Sequence, residues 1–240
     1  MSETPRCLIL AGPTREYLDP VRYVSNASSG LQGIALAQEA LGRGYEVELV
    51  LGPIEHEPPA GARVFNVVSA AEMLEAALER HPGCDFLISA AAVSDFRPAA
   101  FQSSKRKRGA GDLELKLEPT EDILAILGRQ KTAKIHAGFA LETDAHLDNA
   151  RRKLETKNLD WIVVNDAEAI GREASDYHIL GADGTTHALG LISKRELASS
   201  LLDHIETGGG GFGAGTGSAE LKKPLKTADK TTGAFVAIKT

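Results

Sequence analysis

The sequence predicts an α/β fold built on a mostly parallel sheet covered by helices on both faces. Short apolar runs alternate with amphipathic helical stretches along residues 1–206, the pattern of such a sheet. Glycines and capping residues fall where each helix should stop or start. Strands are expected at Arg6–Ala11, Glu46–Leu51, Arg63–Val67, Asp85–Ala90, Ile135–Phe139 and Trp161–Val164. The first helix is Gly30–Leu41, closed by Gly42 and Gly44, residues suited to a helix C-terminus. Ala70–Arg80 follows Ser69, with Glu72 three residues on, a capping box. Thr120 is the expected cap of Glu121–Leu127, whose first turn carries two acids, as the helix dipole prefers. Asp144–Lys157 reads as a long charged helix, and Ser193 with Glu196 caps a last one reaching about Ile205. Between Ser94 and Glu118 the pattern breaks. Pro98, a basic cluster and two glycines lead into the alternating DLELKLE, which predicts a mobile basic loop and then an edge strand or hairpin arm.

Composition narrows the functional classes. The 240 residues are 42% hydrophobic and 25% charged, enough apolar surface for a real core. No apolar stretch approaches the roughly 18 residues of a membrane span, and the N-terminus is too briefly apolar for a signal peptide. A cytoplasmic protein without a membrane partner is expected. Two cysteines, Cys7 and Cys84, cannot build a disulfide framework, and Cys84 beside an apolar strand is expected to be inert. The net charge of −6 argues against a duplex nucleic-acid partner. From Thr207 onward five lysines face Glu220 and Asp229, a local +3 that leaves −9 on residues 1–206. Seven glycines lie between Gly208 and Gly217. Residues 1–206 are therefore expected to be the folded domain, and 207–240 a disordered, basic, Gly-rich tail.

The first strand runs into GPTREYLDPVRYVSNASSG and then a helix. A strand, a polar turn and a helix N-terminus together can hold an anion on unpaired N–H groups. Ser28, Ser29 and Gly30 stand at that helix start, although ordinary N-capping would use the same residues. Arg22 can pair bidentately with a phosphate and Asn26 can donate to a developing oxyanion, against bland roles as surface charge and turn residue. A dinucleotide site would need an acid at the end of the second strand, and EVELVLGP ends in Gly52-Pro53. An NAD(P)-linked oxidoreductase is thereby disfavoured. Asp95 follows an apolar strand at the edge where open α/β sheets bind ligands, unless it is a turn cap. The run Lys105-Arg106-Lys107-Arg108 and the pair Lys153 and Lys157 supply positive charge, although exposed lysines commonly serve solvation alone.

Taken in order, GPTREYLDPVRYVSNASSG, AAAVSDFRP, the lysine at 105, TEDIL, GFALET, ARRKLETKNLD and VVND resemble the phosphopantothenate–cysteine ligases of coenzyme A biosynthesis, from about Leu8 to Ile205. The resemblance implies a Rossmann-like homodimer. It also implies a two-stage reaction, in which CTP, with ATP as the alternative, and Mg²⁺ activate 4′-phosphopantothenate as an acyl-nucleotidylate. Pyrophosphate leaves, and the L-cysteine amine then displaces the nucleoside monophosphate. By position, Asn26 handles the acyl-nucleotidylate, and Arg22 and Ala92 join it at the phosphopantothenate. Ser28, Ser29, Gly30, Asp95, Lys105, Glu121, Asp122, Ile123, Leu124, Phe139, Lys153 and Lys157 match nucleotide contacts. Asn26 and Lys105 are the catalytic candidates, Lys105 on a lid-like loop. Magnesium is expected on nucleotide phosphates, with Asp95 as the one protein group that could touch it. No flavin-dependent decarboxylase half precedes the ligase motifs, so a separate decarboxylase is expected in the pathway. Three departures stand out. Leu31-Gln32 replaces the usual Lys-Met, Lys-Arg-Lys-Arg replaces Lys-Ile-Lys-Lys, and Thr-Glu-Asp-Ile replaces Asn-Pro-Asp-Ile. The first makes a degenerate nucleotide-binding protein conceivable, while the joint presence of Asn26, Asp95 and Lys105 argues for a working enzyme.

Overall fold

The computed structural model describes residues 4–105, 114–142, 146–166 and 174–207. Arg6–Ala11 forms β1, after which the chain leaves the sheet as a hairpin of β2 (Arg15–Asp19) and β3 (Arg22–Ser25). It returns through α1 (Leu31–Gly42), β4 (Glu46–Leu51), β5 (Arg63–Asn66), α2 (Ala70–Arg80) and β6 (Phe86–Ser89). A short antiparallel pair follows, β7 (Phe96–Pro98) with β8 (Leu117–Pro119). The chain continues through α3 (Ile123–Arg129), β9 (Ile135–Glu142), α4 (His146–Thr156) and β10 (Trp161–Asp166). It closes with β11 (Ala174–Gly181), β12 (Thr186–Ser193) and α5 (Lys194–Thr207). The main sheet has eight strands in the order β12-β11-β10-β9-β6-β1-β4-β5. From β5 to β10 every pairing is parallel, so the predicted mostly parallel α/β sheet is what forms.

Alternation along β1 explains why helices cover both faces. Ile9 and Ala11 pack with Leu36 and Ala37 of α1 and Leu201 of α5, whereas Leu8 and Leu10 pack with Met73 of α2 and Leu127 of α3. These side chains are essentially removed from water, each leucine, isoleucine or methionine among them worth roughly 1.5–3 kcal/mol of burial. A third cluster seats Ala150 and Leu154 of α4 on Ile162 and Val164 of β10. Helix α1 lies close against β1, because a Cβ on Gly33 would stand 2.2 Å from that of Ala11. That contact places the start of α1 at the carboxyl edge of the sheet.

Several elements differ from the sequence expectation. The hairpin β2–β3 and the antiparallel arm β11–β12 are unforeseen. β2 and β3 are short and rich in polar residues, β12 carries no buried residue, and β11–β12 includes His178, His187 and Gly190, so neither hairpin reads as an apolar run. Thr120 does not cap α3. Its hydroxyl donates instead to the Ser94 carbonyl at 2.5 Å, and Asp122 is the cap, accepting from Ala125 N–H at 3.0 Å. The two acids therefore precede the helix rather than fill its first turn. The capping pairs at Ser69–Glu72 and Ser193–Glu196 form as expected. Of the expected arm Asp112–Glu118, Leu117 and Glu118 are in β8, while residues 106–113 lie outside the described residues, as do 208–240 of the expected tail. Thr207, assigned to that tail, ends α5. Among the described residues no helix is long and apolar enough to cross a membrane.

Beneath α2, His81 and His136 are both buried, with Nε2 atoms 2.8 Å apart. The Thr132 hydroxyl lies 3.3 Å from the His81 carbonyl, to which it donates, and 3.2 Å from His81 Nδ1. With its proton on the carbonyl, that oxygen accepts from His81 Nδ1–H, so His136 Nε2–H must donate to His81 Nε2. Protonating His81 sets N–H against N–H, and protonating His136 adds a buried Nδ1–H that has no partner among the described residues. Burial, His81 and Lys131 push the His136 pKa down to about 4, partly offset by Asp160. The folded value is below the unfolded one near 6.5, so this stability is complete above about pH 6.5 and is lost as pH falls toward 4. Urea titrations should show unfolding free energy dropping by on the order of 2 kcal/mol from pH 7.5 to 5, with His136→Asn flattening the slope. A wild-type profile flat over that range would contradict the assignment.

Candidate functional site

Two loops meet at the carboxyl edge of β1 and β4. A Cβ on Gly52 would fall 1.9 Å from the Pro13 carbonyl oxygen, so only glycine fits beside the chain leaving β1. Pro13 bridges to Ala92, beyond the end of β6. The β2–β3 hairpin is then fastened from below: Arg15 N–H donates to the Val68 carbonyl, and the buried Glu16 carboxylate accepts from Ala70 N–H, both at 2.8 Å. At the hairpin's exit the Ser25 hydroxyl donates to the Thr14 carbonyl at 2.7 Å. Asn26 comes next, exposed, its amide donating to the Val93 carbonyl at 2.8 Å and the Ala92 carbonyl at 3.4 Å. The structure thus brings together the predicted site residues Asn26 and Ala92. It also shows that the Asn26 amide hydrogens are engaged and must be released to serve an oxyanion.

Gly30 precedes α1 with φ of 73°, and a Cβ there would strike Ile54 at 2.6 Å. No side-chain cap closes this helix. Ser28 and Ser29 make only long contacts, accepting from Gly30 N–H at 3.3 Å and Leu31 N–H at 3.5 Å. The turn has the form of the predicted anion cradle, with amides weakly committed.

Beside it a cleft of about 310 Å³ opens at the ends of β6 and β9. Seven sequence-predicted nucleotide contacts line it: Asp95, Glu121, Asp122, Ile123, Leu124, Phe139 and Lys157. Phe139, Leu124 and Leu141 give it an apolar wall suited to a flat ring. Asp95, Glu121 and Asp122 supply three carboxylates. Asp122 does two things, capping α3 with Oδ1 and holding Lys157 Nζ with Oδ2 at 2.9 Å. Lys153 is on α4 and Lys157 directly follows that helix, and Lys105 is exposed; neither Lys153 nor Lys105 is in the cleft lining. Ser28, Ser29, Gly30, Asn26 and Ala92 also lie outside that lining. Arg22 is elsewhere. It pairs with the buried carboxylate of Asp19 through its Nε and terminal nitrogen, and faces a second cleft of about 210 Å³ with Pro98, Gln102 and Glu114. Burial pushes the Cys84 thiol up to about 12, consistent with an inert side chain.

Sequence reasoning missed the buried hydroxyls at this edge. Thr14 is fully buried and its Oγ1 accepts from Ser94 N–H at 2.9 Å. Both residues stand inside recognisable motifs, but a polar residue between apolar strands carries no signal of its distant backbone partner.

A family model described as the DNA/pantothenate metabolism flavoprotein C-terminal domain matches residues 3–208. Over 208 residues the chain is 45% identical to a cysteine/cysteine sulfinic acid decarboxylase of an unknown prokaryotic organism, covering 84% of this chain and 58% of that protein. It is 40% identical over 208 residues to the coenzyme A biosynthesis bifunctional protein CoaBC of Bacillus subtilis, covering 85% and 51%. The chain therefore spans about half the length of the curated relatives it matches. A crystal structure of the C-terminal domain of CoaBC superposes with a TM-score of 0.75 at 38% identity, covering 85% of this chain and 94% of that one.

Because Asp122 both caps α3 and neutralises Lys157, Asp122→Ala should lower stability by about 1 kcal/mol. For a domain of this size that is a fall of roughly 2–4 °C in thermal midpoint. Asp122→Asn, which can still cap, should lose less. Equal midpoints for wild type and Asp122→Ala would show that the cap contributes nothing.

Proposed function

The chain belongs to the DNA/pantothenate metabolism flavoprotein C-terminal domain family, and from that membership we propose that it is a phosphopantothenate–cysteine ligase of coenzyme A biosynthesis. The observation that carries the proposal is the convergence of residues from β6, the segment before α3, β9 and the end of α4 on one cleft beside Asn26. The likeness to the C-terminal domain of CoaBC supports it over nearly that whole domain. The decarboxylase name belongs to a longer relative, of which this chain spans 58%.

In the proposed reaction an oxygen of the 4′-phosphopantothenate carboxylate attacks the α-phosphorus of CTP, and the bond to the β-phosphate breaks. Pyrophosphate departs and an acyl-cytidylate remains. The cysteine amine then attacks the acyl carbon, the acyl–oxygen bond breaks, CMP leaves and the amine proton is lost. The base is assigned to the wall of Phe139 and Leu124, next to the Glu121–Leu124 segment. The described lining offers three acids and one paired lysine, so further positive charge must meet the triphosphate. Lys153, Lys105 and the α1 N-terminus with Ser28, Ser29 and Gly30 are assigned to that task. Among the described residues no cluster of acids or histidines is placed to hold a metal ion by itself, so Mg²⁺ is assigned to the nucleotide phosphates, with Asp95 the one protein group assigned to touch it. When bound, the ion would neutralise phosphate charge. Lys157 must exchange Asp122 for phosphate. Asn26 is assigned to the developing charge on the acyl group, and Arg22, Asn26 and Ala92 to phosphopantothenate. The rival NAD(P) reading lacks support, since β4 leads into Gly52-Pro53 with no acid for a ribose.

With Mg²⁺, phosphopantothenate and either CTP or ATP, the protein should release pyrophosphate without cysteine, and cysteine should then release the monophosphate. Asn26→Asp should fold normally and turn over roughly 100-fold more slowly or worse. Lys105→Gln should slow pyrophosphate release more than cysteine attack. Absence of pyrophosphate with both nucleotides would refute the ligase assignment; an unimpaired Asn26→Asp would remove that residue from the chemistry.

A homodimer is also proposed. Val21, Phe96, Phe101 and Leu117 expose apolar side chains on or beside the two small hairpins, where β2 meets β7. Sedimentation should report a dimer that Phe96→Asp with Phe101→Asp converts to monomer. A monomeric wild type at micromolar concentration would contradict it.

A further inference from the structure

We propose that Thr14 and Thr120 are positioning residues that act through the backbone of Ser94 to hold the hairpin bearing Asn26 in register with the nucleotide cleft. The proposal rests on the ligase reading above. The reaction requires a carboxylate oxygen and an α-phosphorus to meet at roughly 3–3.5 Å. Arg22 and Asn26, assigned to phosphopantothenate, and Asp95 with Glu121–Leu124, assigned to the nucleotide, sit on segments far apart in sequence, so something must fix one against the other.

Ser94 is where they are joined. Its N–H donates to Thr14 Oγ1 at 2.9 Å, and its carbonyl accepts from the Thr120 hydroxyl at 2.5 Å. Thr120 lines the cleft, immediately before Glu121–Leu124, and its own N–H donates to the Asp95 carbonyl at 2.9 Å. Toward the hairpin, the Thr14 carbonyl receives the Ser25 hydroxyl, and Asn26 donates to Val93, the cleft residue preceding Ser94. The bonds close a ring from Thr14 through Ser94 and Val93 to Asn26 and Ser25. Thr14 is fully buried and Ser94 is 2% exposed, so these bonds face little competition from water. Thr120 is partly exposed at the cleft surface. Neither threonine need touch the reacting atoms. Each sets where Asn26 and the cleft rim stand relative to each other.

The test compares Thr14→Val, Thr120→Val, the double variant, and Thr14→Ser and Thr120→Ser, using pyrophosphate release without cysteine and equilibrium binding of CTP alone. Each valine variant should bind CTP within about twofold of wild type yet release pyrophosphate roughly 10- to 100-fold more slowly. The serine variants should recover most of the rate. The double variant should be little worse than either single one, because the two bonds act in one network. Valine variants that lose CTP affinity at unchanged turnover, serine variants no better than valine, or multiplied defects in the double variant would each overturn the proposal. Should Thr14→Val fail to fold, the Thr120 pair decides. A wild type that releases no pyrophosphate would sink the ligase reading itself, whereas active wild type with unimpaired valine variants would sink only the positioning role.

Discussion

The site depends on the crossing of two loops in backbone contact at the carboxyl edge of the sheet. A Cβ on Gly12 would lie 3.0 Å from the Gly52 carbonyl oxygen, and one on Gly52 would collide with Pro13. With no side chains between them, the chain leaving β1 stays low against the sheet, pairs at Pro13 with Ala92 and delivers Thr14 into the interior. The hairpin then rises over the edge and presents Asn26 to the carbonyls beyond β6. Parallel strands give the rest, because their carboxyl ends gather the β6 exit, the α3 entry and β9 around one opening.

Electrostatics at this opening run against the bulk. The chain as a whole carries −6, and the described cleft adds Asp95, Glu121 and Asp122 against Lys157. A triphosphate enters such a place only where a few cations and a helix end outweigh the background. The Asp122–Lys157 pair keeps both partners satisfied meanwhile. Because Asp122 also caps α3, the same carboxylate serves the helix and pairs with Lys157. Glu121 makes the rim more acidic still.

Much of this was legible in the sequence, for identifiable reasons. Five of the six parallel strands are largely buried between helical layers and read as apolar runs, the edge strand β5 being half-exposed, and Ser69–Glu72 and Ser193–Glu196 are local signals that form as read. Strand β12 escapes because it carries no buried residue, although Asp183-Gly184 at the β11–β12 turn is a hairpin signal. The cap of α3 was misplaced by two residues, since Thr120 spends its hydroxyl on Ser94, a partner 26 positions away. The ordered motifs point to the cleft set from Asp95 to Lys157, and the fold gathers seven of those residues. Arg22 stands apart with Asp19, which no spacing rule foretells.

A crystal structure of the protein with CTP, Mg²⁺ and phosphopantothenate would test the central claim most directly. The account predicts the base against Phe139 and Leu124, phosphates drawing Lys157 away from Asp122, and the substrate carboxylate between Asn26 and the α-phosphorus. A nucleotide bound away from this cleft, or a carboxylate out of reach of Asn26 with the Thr14–Ser94–Thr120 bonds intact, would contradict it.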